Sequence, residues 1–427
     1  MMSNRAQYTL PKRLILGHIF ECFDNTLYGF YAVLLAPIFF PSTSSHINLL
    51  ASYGAFAAGF LARPVGAFVF GLIGDKKGRR LPLLWSMLLV GFPTIMIGLT
   101  PTYDSIGLWA PCILIVCRLT QGFCMGAEYT GINLYITENN SQKIGAQTGI
   151  LISSGVYGAV LATALGAFFV MGIMPKWAWR IPFVFGGICS LGIYFIRKSI
   201  QETHDFKESK SRNEIIDFPW KHLLLNYKKA IFVAIILAGL TTLPLYLSTI
   251  FGNRLFKEMG YSPSESILLN MAAMIFNGII ITYYGKLADK IGFHRHMTFG
   301  VAMTALVGLP AFYLISTPII NIIQIYSFIT ILVSAGAMIN GCAMPYIASL
   351  FPTHCRYSAT SFSVTVGQAL ISGTTPLIAS YLTDKFSSNM APALWMVSVA
   401  LLAFLGILWL GKEASSLPLK PVITYSQ

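Results

Sequence analysis

The sequence predicts an all-α polytopic membrane protein, with twelve transmembrane helices in two six-helix lobes. Three observations predict it. Of 427 residues, 55% are hydrophobic and only 11% are charged, where soluble domains carry roughly 25% charged residues. Twelve apolar runs reach the ~20 residues that a helix needs to cross a bilayer. A short polar loop recurs half a chain apart. Together these exclude a plain cytosolic enzyme, a disordered chain and a secreted disulfide scaffold.

The runs fall near residues 14–40, 49–74, 81–100, 108–136, 144–171, 180–197, 229–256, 265–287, 297–316, 320–348, 357–382 and 391–411. The first follows Lys12 and Arg13 and is too long for a signal-peptide core, so it reads as a retained span. An even number of spans puts both termini on one side. With the termini in the cytoplasm, 22 of the 29 Lys and Arg residues lie inside. Only Lys176, Arg180, Arg254, Lys257 and Lys385 lie outside, and Arg63 and Arg118 fall within the membrane. This asymmetry sets the orientation by the positive-inside rule and explains the net charge of +13 without nucleic-acid binding. The reading is thus a multi-pass inner (cytoplasmic) membrane protein with cytoplasmic termini, functional as a monomer.

Between spans six and seven lies the longest loop, 198–228, which separates an N-terminal lobe (1–197) from a C-terminal lobe (229–427). Its first half mixes Glu202, Asp205, Glu208 and Glu214 with Lys198, Lys207, Lys210 and Arg212. Its second half, Ile215 to Tyr227, alternates apolar and basic residues around Trp220, which predicts a short helix on the inner membrane surface. The seven cysteines form no CxxC pair and no metal-spaced cluster with histidine, and read as small apolar packing residues. No Walker loop, nucleophile elbow or metal cluster is present. No cofactor, no metal and no enzymatic activity are expected.

The recurring loop reads Gly71-Leu-Ile-Gly-Asp75-Lys-Lys-Gly78-Arg79-Arg80 after span two and Gly285-Lys-Leu-Ala-Asp289-Lys-Ile-Gly292-Phe-His-Arg295 after span eight. Asp75 to Asp289 and Gly78 to Gly292 are both 214 residues apart. Both copies face the same side, so the repeat is parallel, as in transporters whose substrate path runs between two lobes.

Charged groups inside the bilayer cost at least ~2.5–3.5 kcal/mol each and therefore face a cavity or one another. Five stand out: Glu21, Asp24, Arg63, Arg118 and Glu128. In span one, His18, Glu21, Asn25 and Tyr28 share a helix face, with Asp24 beside it. A carboxylate that carries protons needs an affinity for them near neutral pH, which burial and a nearby like charge provide. Asp24 and Glu21 are the candidates, Asp24 favoured as nearer the midplane. Arginine keeps its proton, so Arg118 serves by pairing with a carboxylate or by binding one on the substrate. Arg63, before Pro64, is the first choice for holding an anionic or zwitterionic substrate; local pairing with Asp24 is the alternative. Glu128 lies ten residues past Arg118, ~15 Å toward the cytoplasm, and reads as a gate or loop contact. Asp75, Arg79, Arg80, Asp289 and Arg295 belong to the two gating loops. Tyr28, Asn25 and Gln121 join the substrate candidates, as do Tyr246, Asn277 and Asn340 of the second lobe, with interhelical hydrogen bonding as the alternative. Pro244, Pro345 and Pro376 are expected to kink spans seven, ten and eleven.

Further motifs carry a resemblance. The span-two loop resembles the signature loop of the major facilitator superfamily, and Arg118-Leu-Thr-Gln121-Gly122 resembles its R-x-x-Q-G motif. Glu21-x-x-Asp24, Phe39-Phe40-Pro41, Gly59-Phe-Leu-Ala-Arg63-Pro64-Val-Gly66, Gly126-Ala-Glu128-Tyr, Trp179-Arg180-Ile181-Pro182-Phe183 and Phe351-Pro352-Thr353 with Arg356 are similar to its metabolite:proton symporter family. That family includes permeases for α-ketoglutarate, citrate, shikimate and proline or betaine. The flanks Cys22 and Asn25 depart from the aromatic residues common there. No heptads follow the last span, so the coiled-coil tail of osmosensing members is not expected. The resemblance implies a proton-coupling role for Arg118 and symport of a small carboxylated metabolite. The alternatives are a proton-independent uniporter or exchanger and, from another class, a membrane metabolite sensor.

Overall fold

The structure, a computed structural model, describes residues 12–41, 45–139, 143–169, 174–212, 219–261, 263–316 and 322–411. Glu214 and Ile215 of the linker lie outside these residues, as do Arg5, Lys412 and Lys420, which count among the cytoplasmic bases. The described residues contain helices and no strand. Twelve helices have membrane-spanning length. They are α1 (Lys12–Phe39), α2 (Ser45–Lys77), α3 (Arg80–Leu99), α4 (Trp109–Asn139), α5 (Ile144–Phe169), α6 (Arg180–Arg197), α8 (Pro263–Ile291), α9 (Phe293–Leu314), α10 (Ile322–Ser349) and α12 (Ala391–Leu410), with two interrupted ones. In α7, Lys228–Tyr246 passes through a π-helical turn, Leu247–Phe251, into Gly252–Glu258. In α11, Arg356–Gly367 passes through Gln368–Ser372 to Thr375–Phe386. Eleven of the twelve meet a length and apolarity criterion for spanning. The remaining one, α1, is 28 residues long and carries Glu21 and Asp24.

The expected kinks fall unevenly. Pro244 stands three residues before the π-helical turn of α7, inside the last turn of its first segment, where a proline removes a backbone donor. Pro376 is the second residue after the break in α11, a position where its missing N–H costs nothing. Around Pro345, by contrast, α10 continues as one helix of 28 residues.

The helices group into two compact units: residues 1–135 with 154–217, and residues 136–153 with 218–427. The second unit thus includes the end of α4 and the start of α5, drawn from the first half of the sequence.

In the first unit, glycines set the helix spacing. A Cβ at Gly122 would strike the Gly59 carbonyl, and one at Gly126 the Arg63 carbonyl, so α2 and α4 meet backbone to backbone. This close approach brings Arg63 and Arg118 into one region. Phe23, Leu27, Tyr31, Leu35 and Phe39 recur every four residues on α1 and are buried against Ile97, Leu114, Trp179 and Phe183. The Trp179-Arg180 motif has a structural job as well. Arg180 donates to the carbonyls of Gly98 (2.9 Å) and Thr100 (2.7 Å), satisfying acceptors at the C-terminal end of α3.

In the loop after α6, a helix forms at His204–Ser211 and another at Pro219–Asn226. The second falls within the stretch expected to form a short helix, and its tryptophan does not face outward. Trp220 is buried and packs edge-on to Phe362 of α11 at 5.1 Å, while Leu224 and Leu225 are the exposed apolar residues. The indole therefore anchors the helix to the protein rather than to lipid. All seven cysteines are free.

Candidate functional site

The polar groups of the first unit converge around α1. Asp24 is 2% exposed, and its Oδ2 accepts from the hydroxyls of Thr94 on α3 (3.2 Å) and Ser190 on α6 (3.1 Å). Its Oδ1 has no hydrogen-bond partner among the described residues. Gly186 of α6 leaves room for the carboxylate, because a Cβ there would run into it. On α4, Arg118 Nη1 donates to Gln121 Oε1 (3.0 Å), and Gln121 Nε2 donates to Thr94 Oγ1 (2.7 Å). A continuous chain of donors thus runs from Arg118 through Gln121 and Thr94 to Asp24. All its bonds point the same way, so each polarises the next. The Thr94 hydroxyl also lies 2.7 Å from the Val90 carbonyl. With one proton to give, it serves either the carboxylate or its own helix.

The guanidinium of Arg118 is buried over the Tyr28 ring, 4.4 Å from its centroid. Tyr28 donates to the Ser52 carbonyl at 3.3 Å. Arg63 sits on α2 with its guanidinium 3.8 Å from the centre of the Phe60 ring and donates to Asn25 Oδ1 at 3.1 Å. The acceptor that orients this guanidinium is thus the neutral Asn25. Glu21 pairs with His18 at 3.1 Å, one turn earlier on α1, and both are buried. The two acids thus have separate environments, although they are three residues apart: one ringed by hydroxyls, the other held by a histidine.

Glu128 lies inside α4 rather than in a loop. It forms a fully buried ion pair with Arg197 at the end of α6 and accepts from Ser86 of α3. Arg197 also donates to the Leu83 carbonyl at 3.2 Å. Arg197, at the end of an apolar run, is completely buried. Losing one partner of such a pair costs ~3–5 kcal/mol, because the other charge is left in the interior.

The two gating loops belong to different units. In the first, Asp75 pairs with Arg79 at 3.1 Å, and both side chains are fully buried. Glu202 accepts from the backbone N–H groups of Arg79 (2.8 Å) and Arg80 (3.2 Å). In the second, Asp289 accepts from the N–H groups of Gly145 (2.7 Å) and Ala146 (2.8 Å), in the first turn of α5. Ser153 on α5 donates to the Gly278 carbonyl at 2.5 Å, and Arg356 pairs with Glu138 at 3.4 Å. Arg295 is exposed at the start of α9. Asn277 and Asn340 are buried in the second unit, and Asn340 Oδ1 has no partner there; Tyr246 closes the first segment of α7.

Sequence reasoning missed Thr94, Ser190, Arg197, Glu202 and Ser153. The hydroxyls carry no charge penalty to flag them in an apolar run. Arg197 stands at the end of one, where a base is ordinary. Among the described residues no group of three or more His, Cys, Asp or Glu side chains is placed to hold a metal.

Comparison with known proteins identifies the family. The sequence profile of the Major Facilitator Superfamily matches residues 14–374 and 241–422. The chain is 31% identical over 428 residues to the proline/betaine transporter of Escherichia coli (strain K12), covering 95% of this chain and 83% of that protein. It is 29% identical over 423 residues to the citrate-proton symporter of Klebsiella pneumoniae, covering 94% and 91%. Its fold is similar to the solved proton:xylose symporter XylE bound to 6-bromo-6-deoxy-D-glucose, with a TM-score of 0.72, 16% identity and 94% of each chain covered. The chain belongs to the major facilitator superfamily and is a multi-pass membrane transporter rather than an enzyme.

Proposed function

We propose that the protein is a proton-driven symporter that imports a small carboxylated metabolite, either a di- or tricarboxylate or a zwitterion such as proline or betaine. The observation that carries this reading is the Arg118–Gln121–Thr94–Asp24 chain, ending on a buried carboxylate with one oxygen unpartnered. Proton coupling needs a group that takes and releases a proton where water is scarce. Oδ1 of Asp24 is the acceptor. While Asp24 is charged, the Thr94 hydroxyl donates to it; once Asp24 is protonated, that hydroxyl is released to the Val90 carbonyl. The change passes along the chain to Arg118, which cannot give up its own proton.

Arg63, stacked on Phe60 and oriented by Asn25, is the ligand for the substrate carboxylate, with Tyr28 beside Arg118 lining the path. Asn277, Asn340 and Tyr246 are the second lobe's contributions. The names of the relatives support both substrate classes: one transports proline and betaine, the other citrate with a proton. Six helices on each side of the 198–228 linker form the rocking lobes, in an inner membrane with both termini cytoplasmic. Asp289 is the latch. Its hold on the first turn of α5 fastens a segment from the first half of the chain to the second half.

The test is proton movement in proteoliposomes of purified protein on addition of α-ketoglutarate, citrate, shikimate, proline or betaine. One compound should acidify the lumen as it enters. Asp24→Asn should abolish accumulation driven by a pH gradient while leaving counterflow of labelled substrate. Uptake with no proton signal in the wild type would refute symport and leave a uniporter or exchanger.

A further inference from the structure

Outside the transport path, the first unit holds a cavity of about 480 Å³ lined by Lys77, Arg80, Leu81, Leu84, Glu202, Phe206, Lys207 and Lys210. Four bases face one carboxylate. That carboxylate is already committed, since Glu202 receives the N–H groups of Arg79 and Arg80 and so pins the loop after α6 to the start of α3. A second tie, from Arg80 Nη2 to the Lys198 carbonyl at 2.7 Å, holds the same wall. Lys77, Lys207 and Lys210 have no ion pair among the described residues. Lys207 and Lys210, three apart on the His204–Ser211 helix, present their charges from one face. The groove is therefore rigid, basic and short of counter-charge.

Its floor is apolar and continues into an apolar surface. Leu81 and Trp85 share a face of α3 at i and i+4, and Trp85 is 52% exposed. Beside the groove, Phe195 and Ile196 at the end of α6 are also exposed. On a multi-pass membrane protein such side chains contact lipid, and an exposed Trp marks the interface. Bases above, lipid-facing side chains below and an interfacial Trp between them match an amphiphile with an anionic head.

We propose that this groove binds the headgroup of an anionic phospholipid of the inner leaflet. Its phosphate lies among Lys77, Arg80, Lys207 and Lys210, and its acyl chains run over Leu81 and Leu84 toward Trp85. The assignment of the leaflet rests on the orientation proposed above; the binding itself does not. Bases at a membrane surface each contribute a few-fold in affinity for anionic lipid.

The test is native mass spectrometry of the full-length protein in detergent with phosphatidylglycerol or phosphatidylcholine, alongside thermal unfolding with the same additives. Wild type should retain phosphatidylglycerol over phosphatidylcholine and be stabilised by it. Lys207→Gln/Lys210→Gln should weaken that binding on the order of ten-fold, while Lys207→Arg/Lys210→Arg, which keeps the charge, should preserve it. Equal retention of phosphatidylglycerol by the Gln and Arg variants would overturn the proposal. So would stabilisation by inorganic phosphate alone as large as that by phosphatidylglycerol, since a soluble anion would then be the ligand. Neither readout involves transport, so failure here leaves the symport reading standing, and the reverse.

Discussion

The two copies of the gating loop share one motif and use it differently. In both, an acid three residues before a glycine closes a helix, and the glycine has positive φ: +105° at Gly78 and +91° at Gly292. The backbone turn is the same. The surroundings are not. A Cβ at Gly78 would strike the Glu202 carboxylate, whereas nothing lies within 4 Å of one at Gly292. Asp75 finds its partner at i+4, where Arg79 waits in the same loop. At the equivalent position from Asp289 stands Phe293. With no base there, Asp289 takes the orphan N–H groups at the start of α5, where the helix dipole also favours a carboxylate. One residue after the turn thus separates an acid neutralised in its own loop from one that reaches another part of the chain. The first is a buried structural pair, and the second is suited to making and breaking.

The largest effect that sharpens this contrast is on stability. Asp75→Ala removes the carboxylate beside a fully buried guanidinium and should cost about 3 kcal/mol. It should appear as a large fall in the thermal midpoint of the purified protein in detergent. The equivalent change, Asp289→Ala, takes away partly buried bonds to backbone donors and strands no charged partner, so it should lower the midpoint far less. Equal losses at the two positions would erase the distinction.

Much of this contrast was out of reach of the sequence, and the reasons are physical. The repeat was legible because Gly, Asp and Gly recur at fixed offsets and 214 residues apart. The twelve spans were legible because a bilayer demands long apolar runs, and the acids and Arg118 because charge inside such runs is expensive. Asp289's partners are backbone N–H groups, which every residue but proline carries, so no side-chain pattern marks Gly145 or Ala146. Glu202 sits among alternating charges in a linker, where it resembles a solvated residue. Thr94 and Ser190 are hydroxyls, and hydroxyls in membrane helices commonly bond their own helix, as Thr94 also does with Val90. The sequence therefore reveals which groups are costly to bury, but not the neutral groups that make burying them tolerable.

A smaller effect concerns the conformational equilibrium. Asp289→Asn keeps the size of the side chain and one acceptor but gives up the charge that meets the helix terminus, a loss of about 1 kcal/mol. That corresponds to a several-fold shift toward the state in which the first turn of α5 is released. Alkylation of a cysteine introduced by Ala146→Cys, in a background without the native cysteines, reports that release. Labelling should rise several-fold with Asp289→Asn and stay level with Asp75→Asn. No change with Asp289→Asn would mean that the bonds at 2.7 and 2.8 Å do not limit the motion.

The smallest predicted effect is the most discriminating. Phe293→Arg places a base four residues after Asp289, as Arg79 stands after Asp75. Position 293 is partly exposed, so the new pair should contribute only about 0.3–0.5 kcal/mol. It should nonetheless compete with α5 for the same carboxylate and raise labelling at position 146 about two-fold. The effect should disappear when Asp289→Asn is already present, because the two changes act through one group and cannot add. Additive effects would show that residue 293 acts by packing alone. The choice between an internal and an external partner for Asp289 would then have to come from the α5 side, where the N–H groups of Gly145 and Ala146 would draw the acid whatever followed Gly292.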